Sequence, residues 1–381
     1  MSGPPVPTAS AGAPDSGRPP GRGRLRALLV PFLVSIVSLS LLEAGVRLLT
    51  GIGFMPALRR INNDDSFWDG SHPVCGVWHH NSVSARHHTA CFDVTYTTNS
   101  VGARDAERSL QSDRPRVVVL GDSYLEGWGV PVRERLSNIL EERTGREHIN
   151  LAMSHFGPYQ EYLVYASLGK KYSHSGVIVG IFPFNDFYDL DYAVGRRSPG
   201  YLYAYRPYLV GQYPAYQRVD YRESDLAHFL RHHIYTYDAV SLAWGSIGGR
   251  GEGFDSPAAL RESSGIVRSF YYDYSPAQFD LLRYCLEEIV QAAEGRPVAV
   301  VLVPAPTDFL RYSQSGDSPL AKQLEALGAE RGFRLVDLLP PMSASDPNWE
   351  EYSLSCDMHW SAKGNATAAD ILETRLRGFL Y

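Results

Sequence analysis

Apolar residues fall into two kinds of pattern along this chain. The first is one long block, Ala27 to Leu49, reading ALLVPFLVSIVSLSLLEAGVRLL. As a helix rising ~1.5 Å per residue it would span about 34 Å, enough to cross a bilayer core. Glu43 and Arg47 lie four apart near its far end, where they can pair and reach the interface. The second pattern begins at residue 115, where short β-branched runs alternate with stretches of helical period. Strands are predicted over 116–120 (RVVVL), 148–152, 177–182, 298–303 (VAVVLV) and 334–336. Helices are predicted near 131–143, 158–171, 276–293, 319–330 and 362–377, with Gly378 as the last stop. Continuous apolar strands separated by helices imply an α/β domain whose parallel five-stranded sheet is covered on both faces.

The remaining segments give the domain plan. Residues 1–26 hold six prolines among Gly, Ser and Ala and read as a disordered tail. Residues 27–49 read as an uncleaved transmembrane anchor, because no small-x-small cleavage site follows the apolar run directly. Arg18, Arg22, Arg24 and Arg26 precede the span, whereas Arg59 and Arg60 follow it among Asp64, Asp65 and Asp69. That bias puts the tail in the cytoplasm and the large domain on the periplasmic or extracellular side of the plasma membrane. Residues 50–106 read as a linker and a small β-rich lead-in. Residues 107–381 form the sheet domain, interrupted by an insertion at 187–275 with a short helix near 224–232. Much of the tyrosine falls between Tyr188 and Tyr274, where it would line a surface or groove.

Composition narrows the function classes. The chain has 381 residues and a formal net charge of -6, with basic residues massed only in the tail. No basic patch suited to nucleic acid is present. There are four cysteines, too few for a disulfide scaffold; Cys75 and Cys91 are the expected pair because they share one loop-rich segment. Cys356 reads as a small buried residue. His79-His80 and His87-His88 suggest zinc, but adjacent residues of an extended segment face opposite ways, so a solvated loop is expected and no metal. Asn365-Ala366-Thr367 fits a glycosylation sequon but opens a helix. No cofactor is expected.

The candidate chemistry sits at strand ends, where reactive groups of a parallel sheet collect. The first strand runs into Gly121-Asp122-Ser123-Tyr124. The second runs toward Gly157, the third into Phe184-Asn185-Asp186, and Asp357-Met358-His359-Trp360 precede the last helix. A serine hydroxyl needs an adjacent base, which His359 can be, and Asp357 can hold the other ring N–H. The backbone N–H of Ser123, that of Gly157 and the side-chain amide of Asn185 can serve as oxyanion donors. Gly121 and Asp122 read as support for the nucleophile turn, and Trp128 and Trp360 as packing residues. If Asp357 pointed away, Asp346 or Asp337 would be the substitute acid.

These residues resemble the four blocks of the SGNH (GDSL-like) hydrolases: GDSYLEGWGV, SHFGPYQEY, FPFNDFYD and DMHWSAKGN, in that order. The resemblance spans roughly residues 40–381 apart from 187–275. It implies a flavodoxin-like three-layer α/β/α sandwich and the site roles just given. NSVGARD before the first strand and LLEAGVRLL in the anchor look like a membrane-anchored bacterial subgroup. Many members place the acid three residues before the histidine; here Cys356 stands there and Asp357 two before. The Asp-x-His-Trp form is similar to alginate-O-acetyltransferase-like proteins. The expected activity is therefore that of a serine esterase or O-acyltransferase on an O-acylated, in particular O-acetylated, glycan, with polysaccharide-assembly proteins as partners. The alternatives are a lipolytic esterase on membrane lipid and a catalytically silent glycan-binding accessory.

Overall fold

The computed structural model describes residues 22–52, 67–68, 70–195, 206–220, 269–346 and 348–381, together with 226, 229–230, 234–237 and 239–240. Most of the predicted tail, residues 53–66 of the linker and much of the predicted insertion lie outside the described residues. Of the short helix near 224–232, Leu226, Phe229 and Leu230 are described and are helical.

The first element, α1 (Arg22–Gly51), starts five residues earlier than the apolar pattern places it. Its stretch Leu29–Thr50 is long and apolar enough to cross a membrane and is not buried against the protein. A signal sequence would meet the same criterion. Glu43 and Arg47 do pair, at 2.8 Å. The Glu43 carboxylate also accepts the backbone N–H groups of Tyr235 and Thr236, each at 2.9 Å.

Two antiparallel hairpins precede the sheet: β1 (Gly70–His72) with β2 (Gly76–Trp78), and β3 (Ser84–His88) with β4 (Asp93–Thr97). The alternating strands of the second hairpin put Ala85, His87, Val94 and Tyr96 on the buried face and leave Arg86, His88 and Asp93 outside.

The main sheet has five parallel strands: β5 (Arg116–Leu120), β6 (Glu147–Asn150), β7 (Gly176–Ile181), then β10 (Val298–Leu302) and β11 (Phe333–Asp337). Their spatial order is β11-β10-β7-β5-β6. Numbered within the sheet this is 2-1-3-4-5, the flavodoxin-like order, whose switch point lies between β5 and β7. Every residue of β5, β7 and β10 is buried, as their continuous apolar runs require. Helices α3 (Leu136–Thr144) and α11 (Ala362–Leu376) pack together on one face. On the other, α7 (Pro276–Ala292) packs against both α4 (Pro158–Ser167) and α9 (Pro319–Arg331). The result is a three-layer α/β/α sandwich.

The predicted strands and long helices are found within a few residues. Short elements escaped the pattern: α2 (Ser123–Glu126), α5 (Pro183–Asp189), α6 (Tyr192–Gly195), α8 (Pro306–Ser315) and α10 (Leu339–Ser345). So did the hairpin of β8 (Pro207–Val210) and β9 (Gln217–Asp220). Helices as short as α2, α5, α6 and α10 show too little period to register; α8, with ten residues, is not explained by its length.

The cysteine expectation is corrected. Cys91 is bonded to Cys356, with Cα atoms 5.7 Å apart, while Cys75 and Cys285 are free and buried. Nearness along the chain favoured Cys75, but Cys75 lies in the turn between β1 and β2 and its side chain is buried in the core. The histidine-rich segment is not a solvated loop either. His79 bonds Glu126 at 3.0 Å and His87 bonds the Tyr96 hydroxyl at 3.1 Å, both buried, while His80 and His88 face outward. Asn365 is buried inside α11, where its Oδ1 accepts the Leu136 N–H at 3.0 Å; the sequon asparagine joins α11 to α3.

Candidate active site

The nucleophile turn forms because β5 must end and α2 must begin within three residues. Gly121 has φ +155°, and a Cβ there would meet the Leu125 side chain at 2.9 Å. Asp122 caps α2: its Oδ1 accepts the Tyr124 N–H at 2.9 Å. Ser123 is thereby set at the first position of the helix, 5% exposed.

The base arrives from the other end of the chain. His359 Nε2 lies 2.7 Å from Ser123 Oγ, and its Nδ1 lies 2.5 Å from Asp357 Oδ1. With the proton on Nδ1 donated to the carboxylate, Nε2 is free to accept the serine proton. Burial works against ionisation of Asp357, but hydrogen bonds from His359 and Trp128 outweigh it and hold its carboxyl below the usual carboxylate range. Asp337 and Asp346 are engaged elsewhere. Asp337 accepts from the Tyr271 and Ser318 hydroxyls, and Asp346 from Lys363.

Asp357 and His359 sit on a turn between Tyr352 and Ser361. The turn is closed by Leu354 N–H to the His359 carbonyl at 2.8 Å and by Ser361 N–H to the Tyr352 carbonyl at 2.8 Å. The Tyr124 hydroxyl holds the Met358 carbonyl at 2.8 Å.

The three candidate oxyanion donors come from three consecutive strand ends. Asn185 lies in α5 after β7, and its Nδ2 donates to Asp122 Oδ2 at 3.3 Å. Gly157 caps α4 after β6, where a Cβ would meet Asp189 Cβ at 3.0 Å. Its N–H makes only a long 3.3 Å bond to Gln160 Oε1. Ser123 N–H stands at the start of α2.

Beneath these donors lies a buried acid cluster that the sequence did not announce: Asp122, Glu161, Asp186 and Asp189. Arg206 pairs with Asp189 at 3.0 Å. Burial pushes the Asp122 carboxyl up to about 7. Burial, reinforced by the neighbouring carboxyls, pushes Glu161 and Asp186 well above their ordinary values. Burial thus disfavours the charged form of all three.

Two more residues contact the candidate site or brace it, and the sequence pattern does not single them out for that. Trp128, read as packing, donates its indole N–H to Asp357 Oδ2 at 3.0 Å and stacks on the His359 ring at 5.2 Å. Glu126, at the end of α2, accepts from His79, from Trp68 at 3.3 Å and from Ser154 N–H at 2.5 Å. Burial opposes its charge, yet His79 and Arg104 bring its carboxyl down to about 2. The side chains of Trp68 and His79 thus fasten the lead-in to the sheet domain. A Trp five residues after the serine of a GDS turn was the hint in the sequence.

No protein-family model and no curated protein matches this chain. Similar solved structures are consistently lipolytic G-D-S-L proteins, acylhydrolases and esterases. A lipase/acylhydrolase from Enterococcus faecalis is 12% identical with TM-score 0.36, covering 69% of this chain and 96% of its own. A psychrotrophic esterase from Pseudoalteromonas is 10% identical with TM-score 0.36, covering 70% and 98%. A carbohydrate esterase family 2 enzyme from Corynascus thermopiles, with its carbohydrate-binding domain, is 12% identical with TM-score 0.36, covering 72% and 68%. No residue role follows from likenesses this distant.

Proposed function

We propose that this chain is a membrane-anchored SGNH-type serine acyl hydrolase or O-acyltransferase acting on O-acetylated glycan on the outer side of the membrane. The observation that carries the reading is the chain of contacts Ser123 Oγ, His359 Nε2, His359 Nδ1 and Asp357 Oδ1, at 2.7 and 2.5 Å. Ser123 Oγ attacks the acyl carbonyl while its proton passes to His359 Nε2. The oxyanion accepts from Ser123 N–H, Gly157 N–H and Asn185 Nδ2–H. Collapse expels the sugar alkoxide, which takes the proton from His359, and leaves the acyl group on Ser123. Water or a second sugar hydroxyl, deprotonated by His359, then releases it.

The glycan assignment rests on the Asp-x-His-Trp block and its similarity to alginate-O-acetyltransferase-like proteins. The location outside the membrane is supported by the basic flank of α1 and by the Cys91–Cys356 disulfide, since such bonds persist in oxidising compartments.

The test is labelling of the full-length protein with a fluorophosphonate, followed by a panel of acetylated glycans. Ser123 should carry the label, and Ser123→Ala should carry none. Fatty-acid release from phospholipid vesicles with no action on acetylated glycan would replace the glycan with lipid. Absence of label on the folded protein would favour the accessory reading.

A further inference from the structure

Asp357 offers two oxygens, and His359 uses one of them. Oδ1 takes the ring and backbone N–H groups of His359, at 2.5 and 3.1 Å. Oδ2 takes the indole N–H of Trp128 at 3.0 Å. Rotation about the Cβ–Cγ bond of an aspartate is soft, so one bonded oxygen does not fix the carboxylate plane. A donor on the second oxygen does. The indole also lies nearly parallel to the imidazole, 27° between planes with centroids 5.2 Å apart. When His359 accepts the serine proton, the new cation therefore faces a π surface.

Trp128 is itself held by residues that precede the sheet. His87 meets it edge-on at 4.5 Å, Trp68 packs at 5.5 Å and Phe92 at 6.4 Å. Cys91, next to Phe92, is bonded to Cys356, next to Asp357. The lead-in thus grips the acid from two directions, through an aromatic stack and through a covalent bond.

We propose that Trp128 is a positioning residue for Asp357, acting in concert with the Cys91–Cys356 crosslink, so that the lead-in hairpin is part of the catalytic apparatus. This rests on the reading of Ser123, His359 and Asp357 as an acyl-transfer triad. Trp128 touches no reacting atom. It keeps Oδ1 in the imidazole plane while the proton moves, and the crosslink keeps the turn within reach of the indole.

The experiment uses the full-length protein in detergent, with p-nitrophenyl acetate and a fluorophosphonate as probes. Trp128→Phe keeps an aromatic ring and removes the N–H. It should lower kcat and the rate of Ser123 labelling by about 30-fold, the size of one lost hydrogen bond to a charged acceptor. KM should stay within about twofold, because the loss falls on the transition state. Added to Asp357→Asn, Trp128→Phe should change kcat by less than about threefold, because its partner's charge is already gone. Dithiothreitol, supplying two electrons and two protons to the disulfide, should lower labelling about tenfold and raise amide exchange from Leu354 to His359. Re-oxidation should restore both, and Cys91→Ser with Cys356→Ser should reproduce the reduced state. A wild-type labelling rate in Trp128→Phe, or full multiplicative loss in the double variant, overturns the positioning role. A wild-type protein that never labels at Ser123 overturns the acyl-transfer reading instead, and with it the catalytic sense of the clamp.

Discussion

Ser123, Gly157 and Asn185 stand just past the ends of β5, β6 and β7, whereas Asp357 and His359 ride on a turn that belongs to no strand or helix. The first group inherits its geometry from the backbone ladder of a fully buried parallel sheet. The second is a turn closed by two backbone hydrogen bonds and tied to the rest of the molecule by side chains: the Tyr124 hydroxyl, the Trp128 indole and the Cys91–Cys356 bond. A site built this way has one half set by the strand ends and one half set by contacts from α2, from Trp128 just after it and, through Cys91, from the lead-in. Removing Asn185 from the first half should take away an oxyanion donor without moving Asp357 or His359. Disturbing the second should move the triad without moving the sheet.

The largest effect should come from the turn that carries Asp357 and His359. Asp357→Asn should keep the fold and lower kcat by about four powers of ten, because the amide holds His359 in the wrong tautomer. Steady-state kinetics on p-nitrophenyl acetate and a melting curve read both halves of that statement. A loss below about tenfold would mean that the acid contributes little and that its turn does not need the clamp.

The junction between the two regions comes next. Glu126→Ala strips a buried carboxylate from His79, Trp68 and Ser154 and leaves Arg104 without its nearby buried anion. Breaking a buried charged network from one side costs about 3–5 kcal/mol. Chemical denaturation should show it, and Glu126→Gln should recover part of the loss. An unchanged midpoint would detach the lead-in from the stability of the sheet domain.

On the sheet side, Asn185→Ala should lower kcat about a hundredfold or more while the melting temperature hardly changes, since it removes a transition-state donor. The two-way contrast is then direct: Asn185→Ala should multiply with Trp128→Phe, whereas Asp357→Asn should not.

The same division explains what could be read from the chain. β5 and β7 are nearly continuous apolar runs, and Ser123 and Asn185 follow them within a few residues, so period and position sufficed for both. The Asp357-to-His359 contact was legible because two positions on one turn leave little freedom. The disulfide was not, because Cys91 and Cys356 are 265 residues apart and nothing local joins them. Trp128, Glu126, His79 and His87 owe their roles to the packing of the lead-in against α2, and contacts of that range leave no periodic trace. The buried acids were invisible for a further reason. Asp122, Glu161 and the pair Asp186 and Asp189 lie on three separate stretches, and nothing local to any of them says that they meet.

Those acids give the smallest and most specific prediction. Both oxygens of Glu161 are buried without a hydrogen-bond partner among the described residues, as is Asp186 Oδ1. Burial comes first among the causes that raise Asp122, Glu161 and Asp186. A carboxyl raised in the folded state binds protons that the unfolded chain has already released. Between the ordinary carboxylate value near 3.8 and the folded value of about 7 for Asp122, the native state therefore holds more protons. Stability must fall as pH rises through that window and is fully present only below it. The melting temperature should accordingly decrease from pH 5 to pH 8, opposite to the trend set by salt-bridged carboxylates. Glu161→Gln replaces a group that must keep its proton with one that has none to lose. It should flatten that slope and raise the melting temperature at pH 8 by roughly 2–4 °C, what about 1 kcal/mol gives in a large domain. At pH 5 the variant and the wild type should melt together. A slope that survives Glu161→Gln intact would place the extra protons on Asp122 and Asp186, directly beneath the oxyanion amide. Asp186→Asn would then be the variant that flattens it.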